Sequence, residues 1–419
     1  MPAIELSHPD GRIEGIITLN GSKSISNRVL LIRALSGKHF DIFNISDSRD
    51  TQILQNLLDA DTDFYDAHHA GTTFRFMTAY LALQPGEQVL TGSGRMKQRP
   101  VKALVDALNH LGANIEYIEN DGFPPLRVKA PASHWKNTVN LAANVSSQYI
   151  SALLLIAPLL DNGLDIILEG EIVSEPYIDM TIDIMKSFGV SVIRKGNILS
   201  VASQTYQLKD YYVESDWSSA SYYYLIAGLS HQAGITIRGL HKTSIQGDQV
   251  MGEIANKFGI TTTFGDKEIH ISKKTDGTMP DYLEMNCIKA PDLAQTIAVL
   301  CAGNGTHVLF SGLQTLKIKE TNRIEALKNE LCKVQVALVK MPDRFSKKAQ
   351  IEYYLQEGQV IFSDETITFD TYDDHRMAMS FAPLSVLHPV IINNSEVVEK
   401  SYPNYWNDLI SLGFSVKWL

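Results

Sequence analysis

No stretch of this 419-residue chain is apolar for long. The longest such run, residues 152–160 (ALLLIAPLL), is broken by Pro158 and falls well short of the roughly 20 residues that span a bilayer. A membrane partner is therefore not expected. Cysteine is nearly missing too. Cys287, Cys301 and Cys332 are odd in number and lack metal-ligand spacing, which excludes a disulfide framework and a thiolate zinc site as organising features. Reduced thiols in a cytoplasmic protein are the expectation. It is supported by a start, Met-Pro-Ala-Ile-Glu-Leu-Ser-His, with neither a basic nor an apolar signal region. Positive charge is in deficit: 37 Lys and Arg against 47 Asp and Glu give a net charge of −10. That balance argues against a nucleic-acid partner. There is no low-complexity linker.

What is present is a repeat. An amphipathic helix, a bulky residue and Gly, then a β-rich segment recur at Leu111-Gly112, Phe188-Gly189, Phe258-Gly259 and Leu412-Gly413. Gly suits the position after a helix, where φ is positive. Weaker copies without Gly fall near Asp59 and Lys333. Helices apolar all round begin at polar motifs: Ser22-Lys23-Ser24, Gly71-Thr72-Thr73, Ser146-Ser147-Gln148, Ser218-Ser219, Pro291-Asp292 and His375-Arg376. Six helix–strand units, three per domain, fit the length. Strand-like Tyr211-Tyr212-Val213, followed by a helical pattern after Asp216, suggests a crossover there. The expected domains are 21–213, and 1–20 with 214–419. Domains that point these helix starts at each other would enclose an anion-binding cleft.

The scarce cations are concentrated beside those helix starts. Gly21-Ser22-Lys23-Ser24-Ile25-Ser26-Asn27-Arg28 places two of them where a helix already carries partial positive charge, which suits a site for a bound anion built from N–H groups, hydroxyls and cations. Arg95, Lys97 and Arg99 alternate on a Gly-flanked loop, so an extended segment would turn them to one side. Leu316-Lys317-Ile318-Lys319-Glu320 reads as strand alternation running into a helix, with Lys317 and Lys319 on one face. Glu320 amid cations is either an acid–base group or a counterion. Asp373-Asp374-His375-Arg376 joins two acids, a titratable His and a bidentate anion binder. Residues 397–399 read as the end of a strand before a charged turn at Lys400. No metal is expected.

In family order, Gly-Ser-Lys-Ser-(x)-Ser-Asn-Arg, Ala-Gly-Thr, Arg-Met-Lys-(x)-Arg-Pro, Val-Ser-Ser-Gln, Val-Ser-(x)-Pro-Tyr-Ile-Asp, Lys-Glu-Thr-(x)-Arg and Asp-His-Arg-Met-Ala-Met resemble the 5-enolpyruvylshikimate-3-phosphate synthase family of enolpyruvyl transferases. The resemblance runs from Leu19 to Tyr405. It implies an α/β fold, a two-domain inside-out α/β barrel of βαβαββ repeats, three per domain, with the first repeat shortened around residues 59–70. It implies transfer of the enolpyruvyl group of phosphoenolpyruvate to the 5-hydroxyl of shikimate 3-phosphate, in the shikimate pathway, with no cofactor and in a monomer.

On the resemblance, Lys23, Ser24, Arg28, Ser146, Ser147, Gln148, Ser174, Tyr177, Asp292 and Lys319 hold shikimate 3-phosphate. Lys23, Gly71, Arg99, Gln148, Arg323, Arg376 and Lys400 hold phosphoenolpyruvate. Asp292 takes the hydroxyl proton, Glu320 transfers protons at C3, and Lys23 and His375 stand beside them. His69, Phe76, Thr315 and Glu175 depart from the family pattern. Three other readings are a degenerate homologue that binds a phosphorylated sugar acid, a UDP-N-acetylglucosamine enolpyruvyl transferase and an RNA-phosphate cyclase. The second needs a Cys-bearing loop, and no Cys precedes Cys287. The third suits a −10 chain poorly.

Overall fold

The structure, a computed structural model, describes residues 2–131, 134–144, 146–273, 279–346 and 351–419. The chain divides into two compact units, residues 21–213 and residues 1–20 with 214–419.

Among the described residues the first unit carries α1 (Lys23–Ser36), α2 (Arg49–Asp59), α3 (Gly71–Leu81), α4 (Lys102–Leu111), α5 (Ser147–Ile156) and α6 (Glu175–Ser187). The second carries α7 (Trp217–Leu229), α8 (Met251–Asn256), α9 (Ala294–Asn304), α10 (Arg323–Cys332), α11 (His375–Phe381) and α12 (Tyr405–Ser411). Sequence decides which are central. Residues 25–32 of α1 are all buried, as are 149–156 of α5, 294–302 of α9 and 375–381 of α11. A helix apolar on every side is stable only inside a core. α4 and α10 instead bury one face, at helical spacing: Leu104, Val105, Leu108 and Leu111 in α4, Arg323, Ile324, Leu327, Glu330 and Leu331 in α10.

Five four-stranded sheets share one order, a parallel pair followed by two antiparallel neighbours. In the first unit they are Phe64–Asp66, Glu87–Thr91, Leu126–Lys129, Asn114–Tyr117, and Thr138–Ala142, Leu164–Glu169, Ile198–Val201, Val192–Lys195. In the second they are Arg12–Thr18, Gln232–Arg238, Glu268–Lys273, Ile260–Phe264, then Tyr282–Asn286, His307–Ser311, Tyr354–Glu357, Ala337–Lys340, then Ile367–Phe369, Val390–Ile392, Ile4–Ser7, Ser415–Trp418. Ile4–Ser7 fills a slot that a C-terminal hairpin strand fills elsewhere. Its Ile4 and Leu6 are fully buried between Ile392 and Trp418 on one row and Val390 and Val416 on another.

The sixth sheet is only Tyr211–Tyr212 parallel to Ile42–Phe43. No hairpin follows α2, because residues 60–63 lead directly into Phe64–Asp66. The α/β class expected from the sequence is the one found, with six separate sheets that do not close on themselves among the described residues.

Gly112, Gly189, Gly259 and Gly413 end their helices with φ of 128°, 78°, 72° and 90°. Gln335 takes the same left-handed conformation without being Gly (φ 64°). Three local expectations are corrected. Residues 314–318 form a 3-10 turn rather than a strand, and so do residues 395–400. The loop at residues 92–100 folds through a 3-10 turn at Met96–Gln98 instead of extending. No described helix is long and apolar enough to cross a membrane.

Candidate active site

In the first unit the site grows from the start of α1. Gly21 is required there, because a Cβ would lie 1.7 Å from the carbonyl oxygen of Asn44. Lys23 Nζ donates to Asp50 Oδ2 at 3.1 Å. Asp50 is held in the first turn of α2, which Ser48 caps by accepting from the Thr51 N–H. Arg28 is buried, and its acceptors are all neutral oxygens: Thr181 Oγ1 (2.7 Å), Ser24 O (2.8 Å), Ser151 Oγ (3.1 Å) and Tyr177 O (3.2 Å). The Phe76 ring lies 5.7 Å from its guanidinium carbon. Burial pushes Arg28 down to about 10, and no carboxylate reverses that. The result is a positive charge left for an anion to neutralise.

Around α3 and α5 the fit is tight. The guanidinium of Arg99 lies against Gly71, so a Cβ on Gly71 would come within 2.5 Å of Arg99 Nη1. Buried Arg75 donates to Gly71 O (2.9 Å) and Pro100 O (3.3 Å), and Tyr149 Oη also donates to Pro100 O (2.5 Å). These contacts tie the cationic loop to the helix behind it. Gln148 Nε2 donates to Thr72 Oγ1 (2.9 Å), and the Gln148 N–H donates to Ser146 Oγ at the α5 N-cap (3.4 Å). Val145 of the same motif lies outside the described residues. Ser174 sits before α6 in the left-handed region (φ 57°, ψ 38°), a strained setting for a residue with a side chain.

In the second unit, Asp292 Oδ1 meets Arg323 Nη1 (2.9 Å) and Lys319 Nζ (3.4 Å), and its Oδ2 meets Arg376 Nη2 (3.2 Å). Arg323 is fully buried. It grips Asp374 through Nε (2.6 Å) and Nη2 (3.3 Å), and Glu320 Oε2 through Nη2 (2.8 Å). Burial would lift the Asp292 carboxyl, but Arg376, Lys319 and Arg323 overcome this and hold it well below the usual range. Burial likewise opposes charge on Arg323, and Asp374, Glu320 and Asp292 raise it instead. Asp374 caps α11 by accepting from the Arg376 N–H (2.9 Å), and buried His375 is the first residue of that helix. Lys400 Nζ donates to Asp373 O (2.6 Å).

Asp292, Lys319, Glu320, Arg323, Asp374 and Arg376 are thus one cluster, with His375 Nδ1 3.9 Å from Asp374 Oδ1. Lys317 is not part of it: the turn sends its Nζ to Glu352 (2.5 Å), away from Lys319. Arg95 and Lys97 likewise diverge from Arg99, toward Gln98 (3.3 Å) and Glu119 (2.6 Å). The sequence does not single out Asp50 or Asp248, and marks Arg75 only as one of the cations beside a helix. Asp248 accepts from Ser218 Oγ (2.5 Å), and burial pushes it up to about 6 although Arg376 pulls the other way. Only its place in a Gly-flanked polar turn, Gln246-Gly247-Asp248, hints at it in sequence.

A carboxylate held well below the usual range by three cations, beside a second carboxylate on the same buried arginine, suits acid–base chemistry on a small anion. The family model described as EPSP synthase (3-phosphoshikimate 1-carboxyvinyltransferase) matches residues 54–409. A 3-phosphoshikimate 1-carboxyvinyltransferase of Bacteroides fragilis strain YCH46 is 45% identical over 414 residues, 98% of each chain. One from Colwellia psychrerythraea strain 34H is 37% identical over 96% of this chain and 97% of its own. The solved EPSP synthase of Acinetobacter baumannii superposes with a TM-score of 0.75 at 19% identity, covering all of both chains, a likeness of fold. The chain belongs to the EPSP synthase family.

Proposed function

We propose that this chain transfers the enolpyruvyl group of phosphoenolpyruvate to the 5-hydroxyl of shikimate 3-phosphate. The hydroxyl oxygen bonds to C2 while C3 gains a proton, giving a tetrahedral intermediate. C3 then loses a proton and inorganic phosphate leaves. Asp292 accepts the hydroxyl proton, and Glu320 gives and retakes the C3 proton. Lys23, Gly71, Arg99, Gln148, Arg323, Arg376 and Lys400 serve the carboxylate and phosphate of phosphoenolpyruvate. Lys23, Ser24, Arg28, Ser146, Ser147, Gln148, Ser174, Tyr177, Asp292 and Lys319 serve shikimate 3-phosphate. Four of Arg28's hydrogen bonds already go to protein oxygens, so its role is chiefly field and framework. The reading extends to a cofactor-free monomer in the cytoplasm.

One observation carries this reading: two carboxylates, Asp292 and Glu320, meet on a single buried arginine. That gives a two-proton reaction its two groups in one place. Asp292 is a weak base while three cations hold it, and an arriving anion that shares those cations would raise its basicity. Phosphate release assayed with both substrates, and with each alone, tests the proposal. Release that does not require shikimate 3-phosphate would reject it.

A further inference from the structure

The backbone that delivers Asp374, His375 and Arg376 is strained. Tyr372 (φ 54°) and Asp373 (φ 56°) are successive non-glycine residues in the left-handed region, which side chains with a Cβ avoid. Such a turn persists only where its surroundings hold it. Glu330 of α10 is completely buried, and three donors converge on it. Its Oε2 accepts from the Asp370 N–H (2.9 Å), its Oε1 from the Tyr372 hydroxyl (2.7 Å), and Lys333 Nζ lies 2.7 Å from Oε2. Seven residues earlier, on the same buried face of α10, Arg323 grips Asp374. One helix therefore pins both ends of residues 370–374, with the strained pair between. Asn394 Nδ2 on Asp373 Oδ1 (2.6 Å) and Lys400 Nζ on Asp373 O (2.6 Å) hold the middle.

We propose that Glu330 is a positioning residue: by holding the turn at Tyr372 and Asp373 it fixes where Asp374 and Arg376 stand. The consequence for phosphoenolpyruvate rests on the function proposed above. The clamp itself does not. Glu330→Gln keeps the shape but removes the charge that pairs with Lys333 and turns both charge-assisted contacts into neutral ones, so the clamp weakens. The turn then relaxes and Arg376 moves. The expected result is a fall of about 10–10²-fold in kcat/KM for phosphoenolpyruvate, mostly in KM, with KM for shikimate 3-phosphate within about twofold of wild type.

Glycine adopts positive φ without strain. Adding Asp373→Gly to Glu330→Gln should therefore restore kcat/KM to near that of Asp373→Gly alone. A residue that serves stability only would not be rescued in this way. Hydrogen exchange of the amides at residues 370–376 should rise in Glu330→Gln and fall back in the double variant. If Glu330→Gln does not fold, Tyr372→Phe removes one contact and is read in the same two ways. Wild-type kinetics with unchanged exchange in Glu330→Gln, or no rescue in the double variant, would overturn the proposal. If the wild-type chain shows no turnover, the functional reading fails, and the exchange measurement still decides whether the clamp exists.

Discussion

The two units treat the buried cations of the candidate site in opposite ways. In residues 21–213 the buried cations are Arg28, Arg75 and Arg99, and Asp50 is the one buried acid among the described residues. Arg28 rests on hydroxyl and carbonyl oxygens, which lower the cost of burial without cancelling the charge. In the other unit Arg323 has three carboxylates around it and Asp292 has three cations. An uncompensated cation attracts an anion strongly, because no protein carboxylate has to be displaced. A neutralised cluster attracts net charge weakly, but its carboxylates change basicity whenever a ligand takes a share of a cation. The first arrangement suits binding and the second suits proton transfer.

The hardest test of that contrast is Glu320→Gln. If the compensated cluster does the proton chemistry, binding of both substrates stays measurable while turnover falls about 10²–10⁴-fold. Solvent-deuterium incorporation into the phosphoenolpyruvate methylene should fall with it. A variant with normal turnover and exchange would make Glu320 a counterion only, and Asp292 would be the next group to test.

Next in size comes a paired substitution. Arg323→Leu leaves Asp374, Asp292 and Glu320 without their shared cation, a loss expected to cost about 3–5 kcal/mol and to show as a lower melting temperature. Arg28→Leu leaves Ser151 Oγ and Thr181 Oγ1, already 2.8 Å apart, bonded to each other. Its stability cost should be nearer 1 kcal/mol, whereas affinity for shikimate 3-phosphate should fall at least about tenfold. Equal destabilisation by the two substitutions would break the comparison.

Asp248 sharpens it from the acid side. This carboxyl is pushed up to about 6 from 3.8, first by burial. The folded protein therefore keeps the proton to higher pH than the unfolded chain does. The stabilisation is fully present below pH 3.8 and is lost as pH rises through 6. A difference of that size corresponds to roughly 3 kcal/mol. Asp248→Asn carries no such dependence and can still accept from Ser218. Its melting temperature relative to wild type should climb between pH 4 and pH 7, and the variant should be the more stable at pH 7. A constant difference across that range would show that Asp248 is ionised and compensated after all.

Sequence legibility followed the same divide between local and distant causes. The starts of α1, α3, α5, α7, α9 and α11 could be read because a polar motif before an all-round apolar helix is a local signal. The acceptors of Arg28 could not: Ser151 and Thr181 are hydroxyls inside two other helices and look like any others. Asp50, 27 residues from Lys23, is likewise an ordinary helix-start acid. Pairing of Ile4–Ser7 with Ser415–Trp418 joins the chain ends, and alternation cannot name so distant a partner. Alternation also misled at Lys317 and Lys319, where five residues match a strand pattern by accident. Ile318, which a strand would bury or pair, is 45% exposed in the turn.

The smallest expected effect concerns Gly71, and it asks whether the cation-rich unit works by placement as well as by charge. Gly71 opens α3, and its φ is not positive, so the backbone accepts alanine. Alanine in place of glycine favours a helix by up to about 1 kcal/mol. The obstacle is Arg99, whose Nη1, Nη2 and Cζ would lie 2.5, 2.7 and 2.8 Å from the new Cβ. Those atoms are the far end of a flexible side chain, so Arg99 gives way while the fold stays. Gly71→Ala should therefore melt at or slightly above the wild-type temperature. With Arg99 displaced, KM for phosphoenolpyruvate should rise about tenfold, since a contact moved by an ångström or more loses most of its worth. KM for shikimate 3-phosphate should stay near wild type, because Lys23 and Arg28 keep their partners. Arg99→Ala gives the comparison: if Gly71 acts only by seating Arg99, adding Gly71→Ala to Arg99→Ala changes KM no further. Additive effects would mean that the Gly71 backbone itself contacts the anion.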